Sequence, residues 1–116
     1  MTIKHFRDVP AQEVEQGAKG VSIRWVIARD DGAPNFAMRH FTIAPGGYTP
    51  HHAHAWEHEV YVLSGEGIAT GPDGDTPIGA GSVVFVAPED EHHFSNAGEE
   101  PLVFLCLVPF YEGCPR

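Results

Sequence analysis

Short stretches rich in β-branched and aromatic residues recur along the chain: "VSIRWVIA", "FAMRHFTI", "EVYVLS", "GIAT", "SVVFVA", "HHFSN" and "PLVFLCLVPF". Gly and Pro punctuate the intervals, in "DDGAP" at 30–34, "APGGYTP" at 44–50, "SGEG" at 64–67, "TGPDGDTPIGAG" at 70–81, "APEDE" at 87–91 and "NAGEEP" at 96–101. Short strands separated by turn signals predict an all-β sandwich or barrel. No segment holds a helical period over three turns, and "PAQEVEQGAKG" at 10–20 predicts at most a helical turn or two. No linker, low-complexity segment or internal repeat divides residues 1–116, so they read as one domain. The segment 1–33 is expected to pack on the barrel or on a partner.

Parity along the predicted strands assigns faces, because successive side chains point to opposite sides. In "HEVYVLS", His58, Val60 and Val62 share one face, and Glu59, Tyr61 and Leu63 the other. If the valines point inward, so does His58. "PLVFLCLVPF" is apolar on both faces, which predicts a strand covered on both sides, inside a sheet pair or at a subunit interface. A homodimer is expected in part on that ground.

Composition narrows the partners. The net charge is −9 with only 7 Lys+Arg, which argues against nucleic acid and anionic membranes as partners. "MTIKHFRDVP" has no apolar core of the kind a secretory signal needs, and the apolar run at 101–110 is too short to span a bilayer. A cytoplasmic setting is therefore expected, with Cys106 and Cys114 as free thiols.

Four of the 8 histidines fall in "HHAHAWEH", and a further pair, His92 and His93, follows some forty residues later. His52 and His54 are two apart and share a face if extended. Three or four neutral imidazoles meeting at one point suit a borderline divalent metal: Mn, Fe, Co, Ni, Cu or Zn. They do not suit Ca or Mg, which take oxygen ligands. Without a metal, clustered imidazoles lose solvation and gain nothing in return. His51 and His93 read as supporting or surface residues, and His5 and His40 as structural, with His40 able to face the pocket.

These residues resemble two motifs of the cupin superfamily. Gly46, five residues, His52-Ala53-His54, three residues, His58, six residues and Gly65 follow the first motif at 46–65. Gly81, "SVVFVA", Pro88, His92 and Asn96 follow the second at 81–96, with "EDE" where that motif usually has a Gly. The first motif's usual Glu ligand is replaced by His58, flanked by Glu57 and Glu59. The chain is similar to small single-domain cupins with a four-histidine site, sharing features at 34–47, 56–65 and 104–109. The resemblance implies a double-stranded β-helix (jelly-roll) fold and metal ligands His52, His54, His58 and His92. It further implies Mn(II) as the metal ahead of Fe(II), Zn, Cu or Ni, a homodimer, and oxidation of styrene-like alkenes.

The expected function is a metal-dependent oxidoreductase of dioxygenase type, acting on a small hydrophobic molecule with O2 or peroxide. Phe104 and Cys106 share a strand face and are candidates for the pocket wall; Trp56, beside the ligands, is a candidate gate. Glu57 is a weaker candidate for a proton shuttle, and Cys114 sits in a terminal tail. Two alternatives stand: a non-catalytic metal-containing binding or sensor module, and a metal-dependent isomerase or decarboxylase. Phosphate-bearing sugars fit less well, since Arg39 is the one basic residue in a predicted strand near the histidines.

Overall fold

A computed structural model describes all 116 residues and contains nine strands. They are β1 (Gln12–Val14), β2 (Lys19–Ile27), β3 (Phe36–Tyr48), β4 (His58–Ser64), β5 (Glu66–Gly71), β6 (Gly74–Gly79), β7 (Val83–Val86), β8 (His93–Ser95) and β9 (Leu102–Pro109). They form one antiparallel sheet in the order β6-β5-β8-β3-β9-β4-β7, with β2 also on β3 and β1 outside β2. The sheet curls into a jelly-roll barrel around Ile43, Val60, Val62, Phe94, Leu102 and Phe104, all buried.

The central strands obey parity. In β4, His58, Val60 and Val62 are buried while Glu59, Tyr61 and Leu63 are exposed. In β9, Leu102, Phe104, Cys106 and Val108 are at most 3% exposed, and the residues between them are half-buried. The outer face of β9 is thus only half covered within one chain. Phe104 stacks on Phe41 at 5.1 Å and tilts against Phe94 at 5.2 Å, so three strands meet at one aromatic layer.

Two stretches depart from the expected pattern. Residues 12–14 form a strand instead of a helical turn, because β2 offers an open edge that Gln12, Glu13 and Val14 pair with opposite Ile23, Ser22 and Val21. Residues 74–79, read as turn, form β6, paired along its length with β5. It carries Pro77 because it lies at the sheet's edge, where a missing N–H costs no ladder bond.

Residues before β1 pack on their own barrel. Phe6 stacks on His40 at 4.4 Å, and Arg24 Nη1 donates to the Val9 carbonyl at 2.6 Å. His40 is buried under Phe6, outside the histidine cavity, and that burial holds its pKa below the ordinary value. Asn96, the last residue of the second motif, is a fastener: its side-chain amide donates to the carbonyls of Ile43 and Glu100 and accepts from Gly98 N–H, each at 2.8 Å.

Two backbone positions close the connections that set up the site. Gly65 turns β4 into β5 at φ +89°, and a Cβ there would lie 2.3 Å from the Pro101 carbonyl oxygen. Glu89 (φ +71°) is the one non-glycine residue with positive φ, and it stands in the "EDE" that replaces the motif's usual glycine. Its N–H donates to the His54 carbonyl at 2.7 Å, which ties the loop before His92 to the first histidine segment.

Candidate metal centre

The two histidine segments are joined by backbone pairing. His52 N–H donates to the His92 carbonyl at 3.2 Å and His92 N–H to the His52 carbonyl at 2.9 Å. His58 comes from β4, turned inward by the same parity that buries Val60 and Val62. One ring nitrogen each from His52, His54, His58 and His92 lies within 4.8 Å of the other three. His58 and His92 are buried, His54 is half-buried, and His52 stands at the exposed rim.

The outer nitrogens show which way the rings present themselves. His54 Nδ1–H donates to the Trp56 carbonyl at 2.7 Å, and His92 Nδ1–H to the Asp90 carbonyl at 2.8 Å. Both rings therefore aim an Nε2 lone pair at the cluster. Arg39 Nη2 donates to His58 Nδ1 at 3.2 Å, which leaves the hydrogen on His58 Nε2, donated to His54 Nε2 at 2.9 Å. Burial, then the Arg39 charge and the neighbouring rings, pushes His58 down to about 2. Burial, then His92 and His54, pushes His52 down to about 4. Burial also lowers His54 and His92. Neutral imidazole is the ligating form, so the four rings fit a divalent ion chemically, once His58 shifts its hydrogen from Nε2 to Nδ1. No carboxylate takes part: Glu59 is exposed on the outer face of β4, and Glu57 lines a separate outer groove with Phe36 and Pro109. The placement of Glu57 removes it as a proton shuttle for this cavity.

The histidines line a cavity of about 370 Å³ whose other walls include Ile23, Trp25, Arg39, Phe41, Phe94, Phe104, Cys106 and Tyr111. Phe104 and Cys106 face it from β9, as parity predicts. Burial raises the Cys106 thiol, which receives a hydrogen bond from Arg39 Nη2 at 2.9 Å. Trp56 lies at the cavity wall, stacked on His54 (4.2 Å) and on Tyr111 (3.8 Å), rings within 6° of parallel. His51 and His93 stack on each other at 4.8 Å outside the cavity. Cys114, half-buried, donates its backbone N–H to the Tyr111 carbonyl at 3.0 Å. Two contacts were not visible in the sequence. Tyr111 carried no motif, and Arg39 meets His58 and Cys106 only because β3, β4 and β9 are adjacent.

A curled antiparallel barrel with convergent histidines at the head of an apolar cavity defines a small β-barrel protein with one candidate metal site. The chain belongs to the cupin family: residues 39–108 match the family's sequence model, described as Cupin domain. The polyketide cyclase RemF from Streptomyces resistomycificus superposes with a TM-score of 0.88 at 37% identity, covering 94% of this chain and 79% of that one. The L-ectoine synthase of Bordetella parapertussis is 32% identical over 92% of this chain and 82% of its own length. The oxalate-binding protein of Thermotoga maritima is 36% identical over 57% of this chain, which spans 55% of that protein. No helix is long and apolar enough to cross a membrane.

Proposed function

We infer that the protein is a metal-dependent enzyme acting on a small molecule with an apolar body, and that it oxidises styrene-like alkenes with O2 or peroxide. One observation carries this reading: four neutral imidazoles, and no carboxylate, converge where an aromatic-lined cavity ends. Bound there, Mn(II), or Fe(II), Zn, Cu or Ni by availability, keeps its full 2+ charge and supplies Lewis acidity, with redox capacity for the ions that have it. Phe41, Phe94 and Phe104 exclude water and pack the substrate's hydrocarbon part, and His54 and His92 are kept in their ligating tautomer by the Trp56 and Asp90 carbonyls. Cleavage of styrene would consume one O2 and yield benzaldehyde and formaldehyde; with peroxide, two H2O2 are consumed and two waters released.

A second reading draws support from relatives that are named as a cyclase and a synthase. Here the metal would act as Lewis acid alone, in a cyclisation or isomerisation that needs no oxidant. A purely ligand-holding module is the third. The test is incubation of metal-loaded protein with styrene, with and without O2 or peroxide, and product analysis. Carbonyl products that require both metal and oxidant support the first reading, and their absence removes it.

The assembly we infer is a homodimer in a cytoplasmic setting. The edge strand β7 exposes Val83 (72%) and Phe85 (65%), beside Tyr61 and the half-covered Leu105 and Leu107. That continuous apolar face suits a second copy of the same chain.

A further inference from the structure

Arg39 is the anomaly of the interior. It is 9% exposed and has no acidic partner, since none of the chain's ion pairs includes it. Its hydrogen bonds both leave Nη2 and both go to neutral atoms, His58 Nδ1 and Cys106 Sγ. Its Nε is buried without any partner. The rest of the guanidinium lies against aromatic faces, 5.1 Å from Phe41 and 5.4 Å from Trp25. Glu13, the one carboxylate on the cavity wall, is exposed and makes no ion pair with it. A buried, uncompensated cation is costly and is retained where something completes it.

The metal site adds to the imbalance, because all four of its candidate ligands are neutral. A metal on His58 Nε2 would move that ring's hydrogen to Nδ1, donor against donor with Arg39. One of the two protein bonds of the guanidinium would then be lost, leaving a planar fork of N–H groups on the cavity wall. A fork of that kind matches a carboxylate or an enolate.

We propose that the cavity takes a monoanion with an apolar body, of the arylalkenoate or enolate kind, whose anionic group is held by Arg39 beside the metal while its ring packs on the aromatic wall. Arg39 offers one fork and so engages one anionic group, and a neutral styrene-like alkene binds more weakly than its carboxylate counterpart. The inference rests on the functional reading above and names the substrate class for the same site.

The test uses zinc-loaded full-length protein, with cinnamate, cinnamamide and styrene as probes, read by calorimetry and by the fluorescence of Trp25 and Trp56. Zinc is redox-inert, so the readout is binding alone. Cinnamate should bind between about tenfold and a hundredfold tighter than cinnamamide, the range for a charge-assisted contact. Arg39→Gln should abolish that preference while one zinc per chain is retained. Arg39→Lys, which keeps charge but not the fork, should keep the preference and bind cinnamate more weakly. Equal binding of the acid and the amide by the wild type overturns the proposal, and needs no variant. A preference left intact in Arg39→Gln overturns it too, because the metal alone then holds the anion. Should that variant fail to fold, undiminished cinnamate affinity in Arg39→Lys serves the same end. Wild-type protein that takes up no zinc would refute the metal reading, a separate outcome.

Discussion

Replacement of His58 tests the ligand register most directly. The residue is 6% exposed and its Nε2 lies 2.9 Å from His54 Nε2, whereas Glu59 points out of the barrel opposite Phe85 and Leu107. Metal at about 1,000 times its dissociation constant stabilises the folded state by about 4 kcal/mol, when the unfolded chain binds none. For a domain of this size that raises the melting temperature by about 15 °C. Removing one of four ligands should weaken affinity at least about 100-fold, which brings the gain at the same metal concentration to about 1.4 kcal/mol, or about 5 °C. Each variant's melting point is compared with and without metal, so any loss of intrinsic stability cancels. Wild type and Glu59→Ala should show the full rise and bind one metal per chain by elemental analysis. His58→Ala should show a third of it or less. A full rise in His58→Ala, with the rise lost in Glu59→Ala, would refute the four-imidazole site and move the ligand by one residue.

Acid should release the metal late. All four imidazoles have folded-state pKa values below 6.5, so protons compete for them only at lower pH, near 4 for His52. Dialysis at stepped pH followed by elemental analysis should find the metal retained below the pH at which a solvated histidine tag sheds it. In the metal-free protein the same groups lower stability as pH falls below 6.5 toward 4, because the unfolded chain takes up protons that the folded one refuses; denaturant titration at pH 7.5 and 5 checks the sign. Gly65→Ala should lose at least about 2 kcal/mol, from positive φ and the Pro101 carbonyl together, while Glu89→Gly should gain up to about 1 kcal/mol; denaturant midpoints of both measure this. Phe85→Asp should convert a homodimer to monomer without loss of metal, read by light scattering; a wild-type monomer would refute the interface.

Where side chains alternate cleanly, the fold was legible before any coordinates. His58 to Ser64 assigned its own faces, and the resemblance to the two cupin motifs implied the cluster of His52, His54, His58 and His92. The strands β1 and β6 were not legible, since their pairing depends on open edges of β2 and β5 and not on hydrophobic pattern. "GDTPIG" even carries turn residues, which only an edge strand tolerates. Glu57 looked eligible for proton transfer by proximity in sequence, but the chain bends after Trp56 and sends it to another surface. Arg39 sits 19 and 67 positions from the partners it meets, a separation no local pattern encodes.

The paired backbone bonds between His52 and His92 have a practical corollary. They are ordinary strand bonds, formed by the protein alone, so the two histidine segments are joined before any ion arrives. A receptacle whose donors are all imidazole nitrogens has little means of refusing one transition ion in favour of another, and the affinity order of such ions then governs filling. Whichever element accompanies the purified protein will record the growth medium as much as biology. Loading trials should therefore begin from stripped protein, refilled with one ion at a time.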